Sequence, residues 1–530
     1  MNRVRRLIPF FVFSIFFCFT ASAYAVIPQL LGPLSALLSI IPQILAFVGI
    51  AVVTSLVLAR DTTRMLFYRL RNFVFTRKVG SIVSIFVLLI LAVLTFHFVG
   101  KNLEHTPPIT IKIGKKNNDA SPTTVKPEKS KTELEKNSQS WFTFRGNDNR
   151  TGHLDNLPGP LTNEINWIYK SKEARAVDLS SSPAIFGNRL YIGASHGSIF
   201  SVSGATYCID INTKKLIWRH DSEIPIISSP AVVAGRVYIG EGYHQDTGCS
   251  LRCLDAETGD PIWSFKTASH VESTPTIIQG RLYFTAGGDG VYCLDERSGE
   301  EIWHFPAVHA DMSPLVKDGK VYFGTGYGDY RTYALDAITG KELWSKPAPY
   351  PVWGSPSSYK NIIYFGLGKG NFSESAPIPK GSIIALNMQS GDKVWEYDVG
   401  DAVMSAICVQ NEQVIFGSKD GHVYNLNAID GELNWKTDLY GIVGSSPAVT
   451  EQSVYAATYN GKIFSLDISD GDMEWVYESD SVSNGIKFLS SPVIANGNLY
   501  IGSSGGTMNA GGRYVFCLGG DKTAESFEDR

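Results

Sequence analysis

Beyond residue 140 the chain alternates short apolar runs with polar turns, at a spacing that keeps returning. One period reads MSPLVKDGKVYFGTGYGDYRTYALDAITGKELW (312–344). MSPLV, an apolar run around a proline, suits a strand buried on both faces. DGK predicts a hairpin turn whose glycine tolerates positive φ. VYFG and TYALD are β-branched and aromatic strands. DAITGK is a second turn, with an aspartate to bond backbone amides and a glycine for the left-handed position. ELW completes a fourth strand. Its last ten residues recur as LDAETGDPIW (254–263), LDERSGEEIW (294–303), LNMQSGDKVW (386–395), LNAIDGELNW (426–435) and LDISDGDMEW (466–475); CIDINTKKLIW (208–218) carries lysine in place of the glycine.

Four antiparallel strands per period of about 40–45 residues predict a β-propeller blade. The tryptophans that end the units are Trp167, Trp218, Trp263, Trp303, Trp344, Trp395, Trp435 and Trp475. Openings of the S/T-P type (once S-A) begin at Ser182, Ser229, Thr274, Ser313, Ser355, Ser405, Ser446 and Ser491. The two series are offset, since Trp167 precedes the first opening and no tryptophan follows the last. EINWIYK (164–170) is therefore expected as the outer strand of the last blade, closing the ring and leaving no free edge. The fold class is all-β, an eight-bladed propeller of four-stranded antiparallel blades over 141–520, with a disordered tail at 521–530 and transmembrane helices before it.

No charged residue occurs between Arg6 and Arg60, a run too long for a single span of roughly 20 residues. Residues 1–25 read as a signal peptide or first transmembrane segment. Segment 26–100 reads as a membrane region with two spans, the second being GSIVSIFVLLILAVLTFHFVG (80–100), around a loop holding Arg60, Arg64, Arg69, Arg71, Arg77 and Lys78. Basic residues at both cytoplasmic positions orient everything after residue 100 outward. The expected location is the cytoplasmic membrane, with the propeller in the periplasm or extracellular space. Residues 101–140, with eight lysines and few large apolar side chains, read as a disordered tether.

The net charge of -4 hides an asymmetry. Residues 1–140 hold 17 Lys and Arg against 6 Asp and Glu, a net +11, and the remainder holds 30 against 45, a net -15. A propeller so acidic is a poor partner for nucleic acid, which calls for clustered positive charge. Cys208, Cys253, Cys293 and Cys517 precede the turn where other units have Ala334, Ala385, Asn425 and Ser465, so they read as small strand residues. No C-x-x-C pair is present.

The pattern S-S-P-A-V … V-Y-x-G … L-x-A-L-D-x-x-T-G-x-x-x-W resembles the quinoprotein-type, or PQQ-like, repeat. That repeat is shared by PQQ-dependent dehydrogenases and by BamB-like proteins of outer-membrane assembly. WFTFRGNDNRTGH (141–153) resembles the W-x-x-F-R-G-x-x-x-R-T-G opening of non-enzymatic members. For the dehydrogenases the resemblance implies PQQ over the ring axis with calcium, acidic and amide ligands, an aspartate base and commonly a vicinal disulfide. This chain has no Cys-Cys pair, and Cys249 and Cys253 stand about 13 Å apart if the segment is extended. No catalytic or cofactor-binding residue is assigned, and no cofactor is expected except PQQ and calcium under the enzymatic alternative.

Two features point to a site. Units one, two, five and eight carry longer second connections, namely ASHGSIFSVSGATYC, EGYHQDTGCSL, LGKGNFSESAPIPKGSI and SSGGTMNAGGRY. Long loops gathered on one face of a rigid scaffold suit the binding of envelope proteins or peptides. HVESTP (270–275) and HADMSP (309–314) place His-x-acid at equivalent points of adjacent blades. Alternation aims His270, Glu272, His309 and Asp311 to one side, as solvated residues of a funnel mouth or as a cation pocket. The corresponding positions elsewhere read as Pro225 and Ile227, Pro351 and Trp353, Asp401 and Val403. The expected function is a membrane-anchored, extracytoplasmic interaction scaffold; a quinoprotein dehydrogenase and a ligand-sensing ectodomain are the alternatives.

Overall fold

The computed structural model describes residues 140–528 apart from 148, 154–157, 173–175, 199–200, 245, 372–373, 479–485, 506–512 and 520–524. The expected signal or first span, the membrane region and all but the last residue of the tether lie outside the described residues. Eight antiparallel sheets follow one another along the chain. Blade four shows the plan, with strands Leu315–Lys317, Lys320–Gly324, Arg331–Asp336 and Glu342–Pro347 paired in order from axis to rim.

Ile165–Lys170 pairs antiparallel with Tyr514–Leu518, so the first strand of the ring completes the last blade, as the offset of the two motif series requires. Two local expectations are corrected. The extra residues of unit one form no separate loop, because Arg189–Ser198 and Ser201–Asp210 pair as one long hairpin, to whose far end Ala176–Asp178 adds. Within the expected tail, Glu525–Glu528 forms a fifth strand parallel to Ile165–Lys170.

The recurrent aspartate, glycine and tryptophan serve the joint between blades. Asp336 Oδ1 accepts from the amides of Ile338 and Thr339, which shapes the turn and holds the Asp336 carboxyl below its usual range through the Thr339 hydrogen bonds. Gly340 then takes φ +71 against the face of Trp303 of the preceding blade, where a Cβ would come within 2.7 Å of the ring. Trp303 Nε1 donates to Ala337 O at 3.1 Å, and Tyr283 Oη reaches the same carbonyl. Trp218, Trp263, Trp344, Trp395 and Trp435 donate in the same way to Ala256, Glu296, Met388, Ala428 and Ile468. The apolar clusters accordingly run between sheets: Tyr238, Leu251 and Cys253 of blade two pack with Ile277, Leu282 and Phe284 of blade three. In blade one, Lys214 adopts the left-handed conformation (φ 63) without glycine, a strain of about 1–2 kcal/mol.

The S-S-P opening divides its labour between two hydroxyls. Ser228 Oγ donates to Gly240 O and accepts from its N–H, pinning the inner strand to its own second strand. Ser229 Oγ accepts from Ser182 N of the neighbouring blade, and the same bond runs from Thr274 to Ser313, Ser313 to Ser355, Ser446 to Ser491 and Ser491 to Ser182. In blade six Ser405 bonds Gly417, so it is the first hydroxyl of the pair, and Ala406 N donates to Ser446 Oγ. The S-A opening is thus one residue out of step with the sequence reading. Positions equivalent to His270 and Glu272 fall on Ala402 and Met404 in blade six, in place of Asp401 and Val403.

Residues Trp141–His153 belong to no blade. Ile185 N of blade one donates to Trp141 O, and Val232 N of blade two donates to Phe142 O. Arg150 donates to Thr274 O and Pro314 O of blades three and four, while its own carbonyl accepts from Ser357 Oγ of blade five. Val409 N of blade six and Val449 N of blade seven donate to Thr151 O and Gly152 O. The segment therefore sits on the ring axis, bonded to seven inner strands. Arg145 and Arg150 are fully buried there, and Arg145 donates to Pro447 O.

Candidate functional site

The three residues that precede the paired hydroxyls, or their substitutes, behave alike from blade to blade. The middle one donates its N–H to the end of the preceding blade's second strand: Val271 to Glu241 O, Ala310 to Gly287 O, Val352 to Thr325 O and Val403 to Leu367 O. These middle side chains point into the interblade core and are buried. Their flanking neighbours therefore point the other way, to the mouth of the funnel.

On blades three and four those neighbours are His270, Glu272, His309 and Asp311, and the structure brings all of them together. His270 Nε2 stands 3.0 Å from Asp311 Oδ1, and His309 Nδ1 2.9 Å from Asp311 Oδ2. His270 Nε2 is 3.9 Å from Glu272 Oε1. Three of the four are largely buried rather than solvated, while His309 stays about a quarter exposed. Side-chain exposure is 5% for His270, 10% for Glu272 and 7% for Asp311, because the loop of blade two folds over them.

That loop supplies a residue the sequence reading passed over, His244. A short turn places it, in which Asp246 Oδ2 accepts from Tyr243 N and Asp246 N donates to Tyr243 O. His244 Nδ1 lies 3.5 Å from Glu272 Oε1 and 3.8 Å from Asp311 Oδ2. Its ring centroid is 5.2 Å from that of His270 and 4.7 Å from that of His309. His309 in turn meets Tyr327 edge-on at 5.5 Å. A histidine inside the insertion of the blade beside two His-x-acid pairs was the available signal.

Electrostatics follow the geometry. Contact with the Glu272 carboxylate holds the His244 imidazole above its ordinary pKa, against the opposing effect of burial. Burial lowers the pKa of His270, but the Asp311 bond and the Glu272 charge outweigh it and the net direction is up. Burial would raise Asp311, yet hydrogen bonds from His270 and His309 hold it well below the usual carboxylate range. The arrangement is an ionised carboxylate gripped by imidazoles, suited to charge or cation binding.

An eight-bladed ring whose joints are made by tryptophan, tyrosine and glycine in this register defines a propeller of PQQ-like repeats. The family described as outer membrane protein assembly factor BamB matches residues 159–269, 203–351, 247–399 and 379–513, and the chain belongs to it. Among curated proteins it is similar to the quinoprotein alcohol dehydrogenase PedH of Pseudomonas putida, 27% identical over 22% of this chain and 18% of that protein. It is also similar to the quinohemoprotein alcohol dehydrogenase ADH IIB of Pseudomonas putida, 31% identical over 20% of this chain and 17% of that protein. The chain thus spans less than a fifth of these relatives' length. Among solved structures, BamB from Moraxella catarrhalis superposes with a TM-score of 0.50 at 18% identity, over 68% of this chain and 99% of that one. Quinohemoprotein alcohol dehydrogenase from Comamonas testosteroni gives 0.55 at 14% identity, over 75% and 84%. The computationally designed Ika8 protein gives 0.53 at 16%, over 66% and 98%. These likenesses show the fold alone.

The imidazole-rich cluster of blades two to four is not a donor set of the calcium type. Among the described residues, the groups of three or more His, Cys, Asp or Glu that could hold one ion are His244, His309 and Asp311 and the overlapping His244, His270 and Glu272. Calcium takes oxygen ligands, six to eight of them, whereas both groups are rich in imidazole nitrogen. Cys208, Cys249, Cys253, Cys293, Cys408 and Cys517 are buried and form no disulfide.

Proposed function

We propose that the chain is a membrane-anchored, extracytoplasmic interaction scaffold serving cell-envelope assembly, which engages envelope proteins or peptides at the funnel-mouth face. Family membership carries this reading: the match to the BamB assembly-factor family runs across blades one to eight, whereas likeness to the curated dehydrogenases is confined to short stretches. The mouth face supports it. Tyr243, Val308, Tyr327, Ile378, Tyr440 and Leu489 are exposed on the connections of that face, where aromatic and apolar anchors suit a partner.

The test places a photo-crosslinking residue at Tyr243 or Tyr440, or at Ile338 on the opposite face, of the full chain in its own envelope. Adducts with envelope proteins are expected from the first two positions and not from the third. Protease added outside spheroplasts should release a fragment of about 42 kDa by cutting the tether. Adducts of equal yield from both faces would overturn the docking reading, and protection of the fragment would overturn the orientation. The dehydrogenase reading predicts instead that PQQ and calcium confer alcohol-dependent dye reduction on the purified chain.

A further inference from the structure

We propose that His244, His270, Glu272, His309 and Asp311 form a binding site for a divalent transition-metal ion of the zinc type, independently of whichever partner the mouth face engages. Four observations converge on it. The first is the donor set, three imidazoles and two carboxylates drawn from three blades. Imidazole suits zinc, copper and nickel, while oxygen-only sets suit calcium and magnesium.

The second is spacing. Ligands held about 2.0–2.2 Å from one ion stand about 3.0–3.5 Å from each other. The facing donor atoms here stand 2.9, 3.0, 3.5, 3.8 and 3.9 Å apart. Within each of the two triads that share His244 the donor atoms all lie within 4.8 Å of one another, so modest contraction around one ion brings a triad to that spacing.

The third is an unmet demand. A purely hydrogen-bonded network accounts for Asp311, which accepts from His270 and His309, but leaves two atoms stranded. His244 Nδ1 and Glu272 Oε1 are both buried and stand 3.5 Å apart, too far for a well-formed hydrogen bond although they face each other. Buried polar atoms without full partners weaken the fold; an ion between them supplies the missing partner.

The fourth is a built surround. Ser269 Oγ meets His270 Nδ1 at 3.2 Å, which leaves Nε2 to face the pocket, as outer partners of metal-ligating histidines do. Gly242 and Gly287 flank the same ring. A Cβ on Gly287 would lie 2.5 Å from His270 Cε1, and one on Gly242 2.8 Å from His270 Cβ. Both glycines have positive φ (+108 and +49), so side chains are excluded there twice over. His244 and His309 remain about a quarter exposed, which provides an entry path.

The experiment uses the full chain, purified in detergent, stripped with chelator and titrated calorimetrically with Zn2+, Ni2+ and Ca2+. Expected are one Zn2+ per chain, Ni2+ at the same site and no Ca2+ isotherm. Glu272→Gln with Asp311→Asn should weaken Zn2+ by at least about 100-fold, since even outer partners cost 10–100-fold. His422→Ala, remote on blade six, should bind as the parent does. Should the double variant not fold, His244→Ala serves instead, because its side chain sits on a surface loop; it should keep the parent's tryptophan fluorescence and lose affinity at least tenfold. Cobalt(II) should give visible d–d absorption in the parent and not in these variants. No Zn2+ binding by the parent, Ca2+ binding as tight as Zn2+, or unchanged affinity in the folded variants would each overturn the proposal.

Discussion

On blades three and four the residues flanking the buried middle position are His270 and Glu272, His309 and Asp311; on blades five and six they are Pro351 and Trp353, Ala402 and Met404. The backbone is the same in both sectors, since Val271, Ala310, Val352 and Val403 all donate to the preceding blade. The side chains part company. Trp353, Ala402 and Met404 pack into an apolar cluster of their own, while the other sector buries charge against imidazole. Scaffold and mouth chemistry are therefore separable, because the bonds that hold these middle positions to the preceding blade come from backbone atoms. An apolar sector needs only area removed from water, whereas a charged one needs partners of the right kind at every lone pair.

Both sectors rest on the closed ring, so the largest effect comes from opening it. A chain that begins at Ser171 lacks the closing strand and the axial segment, and should show no cooperative urea transition, whereas one that begins at Gln139 should; equal transitions would mean that neither sector depends on closure. Within the ring, Asp311→Ala should cost about 3 kcal/mol in chelator-treated protein, because it strands His270 and His309 around a vacated charge. Met404→Ala should cost about 2 kcal/mol, the low end for a buried methionine at the edge of a core. If Met404→Ala proves the costlier of the two, the polar sector contributes little to folding and the contrast drawn here fails. Ser269→Ala should cost least, about 0.5–1.5 kcal/mol for losing its long bonds to His270 Nδ1 and Gly288 N, read as a shift of the urea midpoint at constant slope.

The ring was legible because its signal is local and repeated. Each turn of the type Asp336–Gly340 can be recognised within ten residues, and the offset of Trp167 from Ser182 carried the closure. The blade-six register was not legible, since Ser405-Ala406 keeps only the first hydroxyl whereas Met312-Ser313 and Gly354-Ser355 keep only the second, and only the bond to Gly417 shows which one Ser405 is. His270, Glu272, His309 and Asp311 could be paired by alternation along their own strands. His244 could not, because its distance from them depends on how one loop folds over a neighbouring blade. Arg145 and Arg150 were visible as a signature, yet nothing in thirteen residues says that the segment carrying them reaches seven inner strands.

That axial segment has a mechanical consequence. A force applied to the chain ahead of residue 140 arrives first at Trp141–His153, before the closing strand Ile165–Lys170. There it is divided among bonds to Ile185, Val232, Thr274, Pro314, Ser357, Val409 and Val449, which must be loaded in parallel and sheared together. A strand held only at the rim would be peeled one bond at a time. The ring is thus strung from its hub, like a wheel hung by the axle, and tension reaches the closing strand last.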